Sequence, residues 1–416
     1  MTGRRCGVAV GLAVVLWFAG SGRAAGAAGS SRSPASEPVA LSRVAGPEGW
    51  PDLTEAFEGR DGGLQEALER SLAWFDDPRS GAAYPFPSPT VTHEQARAGV
   101  AAFRELLRSS GSAGEFRARV GREFDLYASV GSDGRGTVLF TGYYAPIFRA
   151  SKTPTTAFRY PLYGRPPDLV SDEGKEEGLG RRVGGAIVPY PARAEIERDP
   201  AALGLTGREI AWLDSRLDAF LVEVQGSARL EMTDGGPPVH VGYAGSNGRP
   251  YTSIGRLLVA DGKIEKERLT LPAIRAYFQD HPEDLDGYVR RNDRYIFFRT
   301  QVPGDWPVGS LGVAVTPMRT LATDKSIFPL GGVVLVQTSL ATAEGGSRPF
   351  AQFLLDQDTG GAIRAPGRAD LYLGIGEPAG EVAGRQAHRG RLFYFILKPE
   401  RVADWIGRSE ASGGGG

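Results

Sequence analysis

A mainly β protein, with a small closed barrel in its C-terminal third, is the fold class the sequence predicts, on three observations. The 416 residues include 58 glycines, a content that favours many turns and short strands over long helices. From Gly309 onward the chain reads "GVAVTP", "GGVVLVQT", "FAQFLLDQD", "ADLYLGIG" and "RLFYFILKP". Short apolar runs between glycine-rich turns suit a small closed barrel better than a parallel α/β sheet. Helical patterning is limited to the region from Trp50 to about Ser110 and to two shorter stretches.

The elements follow in chain order. Arg4 and Arg5 precede an uninterrupted apolar and small-residue run from Gly7 to Gly20, and Ala25-Gly26-Ala27 fits a cleavage site; together they read as an export signal. The run is shorter than the roughly 20 apolar residues of a spanning helix, which favours cleavage over a retained anchor. A Ser-, Pro- and Ala-rich linker follows. Thr92 and Gln95 form a capping box before "ARAGVAAFRELL", where Val100, Phe103, Leu106 and Leu107 share one face. "TVLFTGYYAPIF" is strand-like. Residues 165–185 are charged and rich in Gly and Pro, hence a surface loop. "REIAWLDSRLDAFLVEV" and "LPAIRAYFQDH" predict helices, the second with Pro272 in its first turn. "SARLEM", "PVHVGYAG" and "RYIFFRT" predict strands, and "GRSEASGGGG" a disordered tail.

Composition and motifs exclude several chemistries. With 48 basic and 49 acidic residues the net charge is −1, so there is no electrostatic footprint for nucleic acid. Cys6, the single cysteine, lies ahead of the apolar run rather than just after it, so no lipid attachment, disulfide or thiol nucleophile is expected. His93, His240, His281 and His388 lack metal-ligand spacing, and neither metal nor cofactor is expected. There is no G-x-S-x-G, and Ser227 in "QGSA" has no evident base. "GIGEPAG" has the wrong spacing for a dinucleotide loop and reads as a turn. Carboxylates remain. Asp358-Thr359-Gly360 looks like an aspartic protease motif, but Gly361 follows it and no second copy exists, whereas that chemistry needs two aspartates sharing a proton.

The carboxylates sit in segments that resemble the membrane-bound lytic transglycosylase A (MltA) family, which cleaves bacterial peptidoglycan. "GSLGVAVTPMRTLATDKSIFPLGGVVLV" carries Asp324, and "DQDTGGAIRAPGRADLYLGIG" carries Asp358 and Asp370. "FTGYYAP", "YPARAEIE", "VQGSARLE" and "PYTSIGRLL" precede them in family order, and the resemblance spans about Trp50 to Pro399. It implies a double-psi β-barrel, with flanking helices, interrupted by a smaller inserted β-domain. The expected division is 1–27 signal, 28–48 linker, 49–147 helices and the first part of the barrel, 148–303 insert, 304–400 the second part of the barrel (the three-aspartate domain), and 401–416 tail. By the same resemblance Asp370 is the catalytic acid and base. A carboxyl with that task must be desolvated, and Leu371, Tyr372 and Leu373 flank it. Asp358 is either site support, through the Thr359-Gly360-Gly361 amides, or pure structure. Asp324 looks like a helix-end or turn residue. Tyr143 and Tyr144 are candidates for stacking on sugar rings, one of them facing the core if the segment is a strand. Thr141 and Gln225 are candidate substrate hydrogen-bonders. The implied partner is the peptidoglycan glycan strand, cleaved to 1,6-anhydro ends in wall turnover and remodelling, by an exported, periplasmic or outer-membrane-associated monomer that is not lipid-anchored. Cell-wall synthesis and division proteins are further candidate partners. A non-catalytic peptidoglycan-binding scaffold and a two-carboxylate glycoside hydrolase stay open as alternatives.

Overall fold

The structure, a computed structural model, describes residues 40–413 apart from 88, 171–179, 303, 305, 361 and 362. The export signal, Cys6, most of the linker and Gly361 lie outside the described residues. Six strands close into a ring. Val138–Ala145 pairs in parallel with Arg368–Ile375, which runs antiparallel to Thr320–Ala322; that short strand is parallel to Ser347–Asp358. Ser347–Asp358 pairs antiparallel with Val333–Ala341, then Ala387–Leu397 follows and returns to Val138–Ala145. This interrupted barrel, with two parallel pairs among antiparallel ones, has the expected double-psi character.

The near-continuous apolar runs have a simple cause: part of the barrel wall is buried on both faces, so alternation gives no polar side. Val334, Val336, Leu354, Leu392 and Tyr394 point into the barrel. Their neighbours Val333, Leu335, Phe353, Phe393 and Phe395 point outward, against helices Gly62–Asp76 and His93–Ser109. The latter helix carries the expected Thr92–Gln95 capping box, and Val100, Phe103, Leu106 and Leu107 are all buried.

The chain leaves the barrel across a single residue, Pro146. The insert sheet runs Ile296–Gln301, Val239–Ser246, Ser227–Met232, Ile147–Ser151, Glu209–Leu213, Tyr160–Tyr163. A bridge between Gly164 and Phe298 ties its two ends. Arg193, from the "YPARAEIE" motif, is the insert's ionic hub. It is fully buried, bonds both oxygens of Glu223 at 2.8 and 2.6 Å, and donates to the carbonyls of Asn292 and Arg294. That motif is a folding element.

Several expectations are corrected. "REIAWL" is a strand, Glu209–Leu213; the helix starts only at Arg216, because Ser215 caps it. "GVAVTP" makes a single isolated bridge, Val308 to Ala314, and no strand. "GIGEPAG" opens the helix Gly376–Ala383 rather than a turn. Within 165–185, Leu169–Val170 and Gly180–Val183 join Ala186–Val188 in a small sheet. The linker ends in a strand, Leu41–Arg43, paired with Phe124–Ser129. The tail is helical over Val402–Gly413 because its start is anchored: Trp405 is buried and donates to Glu123 at 2.9 Å, and Arg401 pairs with Glu123 at 2.8 Å.

Candidate active site

The outward face of two parallel barrel strands, on the side toward the insert, carries the candidate chemistry. Phe140 and Leu371 fill the barrel, so alternation turns Thr141, Tyr143, Asp370 and Tyr372 outward. Strand register places Thr141 beside Asp370 and Tyr143 beside Tyr372. The Thr141 hydroxyl donates to Asp370 Oδ1. Arg368, two residues before Asp370 and therefore on the same face, reaches Asp370 Oδ1 with Nε at 3.4 Å and Thr141 Oγ1 with Nη2 at 3.1 Å. All three side chains are nearly buried; 12% of the Asp370 side chain remains exposed.

Asp358 lies two strands away in the same wall: Ala322 pairs with Asp358 on one side and with Asp370 on the other. Its carboxylate accepts from Tyr143 Oη at 2.7 Å, from the Ser310 amide at 2.8 Å and from the Thr359 amide at 2.8 Å. Burial pushes this carboxyl above the usual carboxylate range, and these hydrogen bonds pull the other way. Gly309 is required where the Ser310 loop crosses, since a Cβ there would stand 3.0 Å from the Gln357 carbonyl oxygen and 2.9 Å from Val315. The Tyr143 ring packs on Tyr372 with centroids 5.2 Å apart. Burial, then the Asp358 charge, raises the Tyr143 phenol well above its usual value. The Tyr372 hydroxyl is buried with no hydrogen-bond partner among the described residues.

Trp306 joins the two parts of the molecule here. It packs with Ala145, Val315 and Tyr372, lies 4.8 Å from the His240 ring, and donates to the Val241 carbonyl at 3.2 Å.

The expected site residues do not all converge. Asp370, Thr141, Tyr143 and Asp358 come together. Asp324 does not join them: it is buried, accepts from Ser326 N and Oγ and from the Ala365 amide at 2.9 Å, and so holds a turn. Tyr144 is the core-facing member of its pair, buried among barrel residues, so its ring offers no stacking face. Gln225 accepts from the Tyr144 amide at 3.3 Å and links an insert helix to the barrel. Of the residues that sequence reasoning missed, Arg368 and Tyr372 were findable, because each lies two positions from Asp370 on a strand. Trp306 carried no local signal.

Comparison with known proteins gives a consistent picture. Residues 139–299 match the profile of the MltA specific insert domain, and residues 319–396 that of the 3D domain. The chain is 33% identical over 305 residues to the membrane-bound lytic murein transglycosylase A of Escherichia coli K12, covering 72% of this chain and 75% of that one. A membrane-bound lytic murein transglycosylase from Agrobacterium tumefaciens superposes with a TM-score of 0.69 at 27% identity, over 87% of this chain and 99% of the other. E. coli MltA with bound chitohexaose superposes with a TM-score of 0.65 at 28% identity, over 81% and 90%.

Proposed function

Since the chain belongs to the membrane-bound lytic murein transglycosylase A family, we propose that it is a lytic transglycosylase that cleaves the β-1,4 bond between N-acetylmuramic acid and N-acetylglucosamine in peptidoglycan, adding no water and leaving 1,6-anhydro-muramyl ends. The observation that carries this reading is the unequal state of the two carboxylates. Asp358 is committed to three donors, Tyr143, Ser310 and Thr359. Asp370 is held from one side by Thr141 and Arg368 and keeps part of its surface exposed. One of them is anchored and the other is positioned to exchange a proton.

The steps follow. Protonated Asp370 gives its proton to the glycosidic oxygen as the C1–O bond breaks. The C6 hydroxyl of the same muramyl ring closes on C1, and its proton passes to Asp370, which regenerates the acid. The captor is part of the substrate, and tethered groups in good geometry reach effective molarities on the order of 10⁵ M or more, so no second carboxylate is needed. Thr141 and Arg368 fix the orientation of the carboxyl through the cycle. Tyr143 gives an aromatic floor, made rigid by the buried Tyr372 ring packed behind it. Asp358 supports that floor through Tyr143. The hydrolase alternative requires Asp358 to work on water, which its three donors oppose. The substrate places the protein's work in the bacterial envelope, in wall turnover and remodelling.

A zymogram with purified sacculi tests the reading. Clearing by the wild-type protein and none by a folded Asp370→Asn variant is the expected result. A clearing wild type whose Asn variant clears equally well would remove Asp370 from the chemistry, and no clearing by either would leave the scaffold reading.

A further inference from the structure

Beneath the site, inside the barrel, lies a buried ion pair for which the proposed mechanism has no use. Asp356 is fully buried and shares the inward parity of Leu354. Its carboxylate accepts from Lys325 Nζ on Oδ1, and on Oδ2 from Thr323 Oγ1 and Tyr394 Oη, both at 2.7 Å. The Lys325 side chain is 12% exposed and also reaches Thr323 Oγ1 at 3.2 Å. Desolvating two charges costs several kcal/mol per ion, and replacing such a pair by apolar groups is often neutral or stabilising. Stability is therefore a poor account of its presence.

The connections of Thr323 supply another account. Its hydroxyl is clamped from within by Asp356 and Lys325. Its backbone amide donates to the Asp358 carbonyl at 3.1 Å, and its carbonyl accepts from Thr359 Oγ1 at 2.7 Å. The Thr359 amide in turn bonds Asp358 Oδ1, and Asp358 Oδ2 holds Tyr143. Thr323 follows directly on Ala322, the residue paired with both Asp358 and Asp370. We infer that Lys325 and Asp356 are a positioning pair: acting through Thr323, they set the height of the Asp358 turn, and with it the Tyr143 floor, relative to Asp370. The inference rests on the proposed activity. Tyr394, stacked on Phe328 with centroids 5.2 Å apart, braces the pair from the opposite wall.

Thr323→Val severs the link and leaves the ion pair and the local volume in place. With sacculi as substrate, kcat should fall about tenfold, the scale of one hydrogen bond to a charged group, with KM within about twofold. Thr323→Ser should restore most of the loss. The charge-free pair Lys325→Met/Asp356→Leu should fold and show a similar loss, and adding Thr323→Val to it should cost little more, because all three changes cut one path. If Thr323→Val melts below the assay temperature, the charge-free pair carries the same test alone. A folded Thr323→Val or a folded charge-free variant with wild-type kcat overturns the inference. The wild-type protein is the control for the proposed function: if it does not turn over sacculi, that reading fails, and the inference with it. If it does, only the inference is at stake in the variants.

Discussion

Replacing Thr141 by Val removes one hydroxyl and leaves the side-chain volume almost unchanged. Two contacts disappear: the hydrogen bond donated to Asp370 Oδ1, and the one accepted from Arg368 Nη2 at 3.1 Å. Hydrogen bonds to charged groups are worth ~1.5–3 kcal/mol. Arg368 Nε stays within 3.4 Å of Asp370 and keeps a weaker hold, so the lower half of that range applies. A loss of about 1.5–2 kcal/mol corresponds to roughly 10- to 30-fold in kcat, since the hydroxyl is turned to the acid and to Arg368. KM should change little, and Thr141→Ser should recover most of the rate. Initial rates of soluble muropeptide release from sacculi over a range of substrate concentrations separate the two constants, and a thermal melt checks the fold. A folded valine variant within twofold of the wild-type kcat, or an effect confined to KM, would refute the assignment of Thr141 as the residue that positions the acid.

Further changes test other parts of the structure. Asp370→Asn should lower kcat by at least about 100-fold, the scale of general acid catalysis, while chito-oligosaccharide binding by calorimetry stays within a few-fold. Asp358 has a native pKa raised by burial, so its contribution to stability is present below the unfolded value near 3.8 and is lost as pH rises through the native value. The melting temperature of Asp358→Asn relative to wild type should therefore increase from pH 3 to pH 7; a flat or opposite trend would contradict the raised pKa. Arg193→Met leaves Glu223, only 8% exposed at its side chain, without its ionic partner. Unpairing a buried charge costs ~3–5 kcal/mol, and calorimetry should show a lowered transition; an unchanged melting profile would show that Arg193 is not the insert's hub.

Local patterns in the sequence made much of this architecture legible. The capping box at Thr92, the strand within "TVLFTGYYAPIF" and the apolar barrel strands are all encoded within a few residues. Alternation also foretold that one of Tyr143 and Tyr144 would face the core. What stayed hidden depends on distant partners. The tail folds because Glu123, almost 300 positions away, receives Trp405 and Arg401. "REIAWL" has apolar spacing compatible with either a strand or a helix, and pairing with Tyr160–Tyr163 decides it. Asp356 lies two positions before Asp358 in the same "DQD", yet one faces Lys325 inside the barrel and the other faces Tyr143 outside. Only closure of the barrel, with a register shift opposite Ala322, separates them.

The identity of the new sugar end distinguishes one working carboxyl from two. A transglycosylase with one working carboxyl lets the muramyl C6 hydroxyl capture C1, whereas a two-carboxylate enzyme delivers water and leaves a reducing sugar. Sacculi digested by the wild-type protein, separated without chemical reduction and analysed by mass spectrometry, should yield muropeptides about 18 Da lighter than their hydrolysed counterparts, because no water is added. Predominantly reducing-end products would contradict the account and give Asp358 the catalytic role denied to it here.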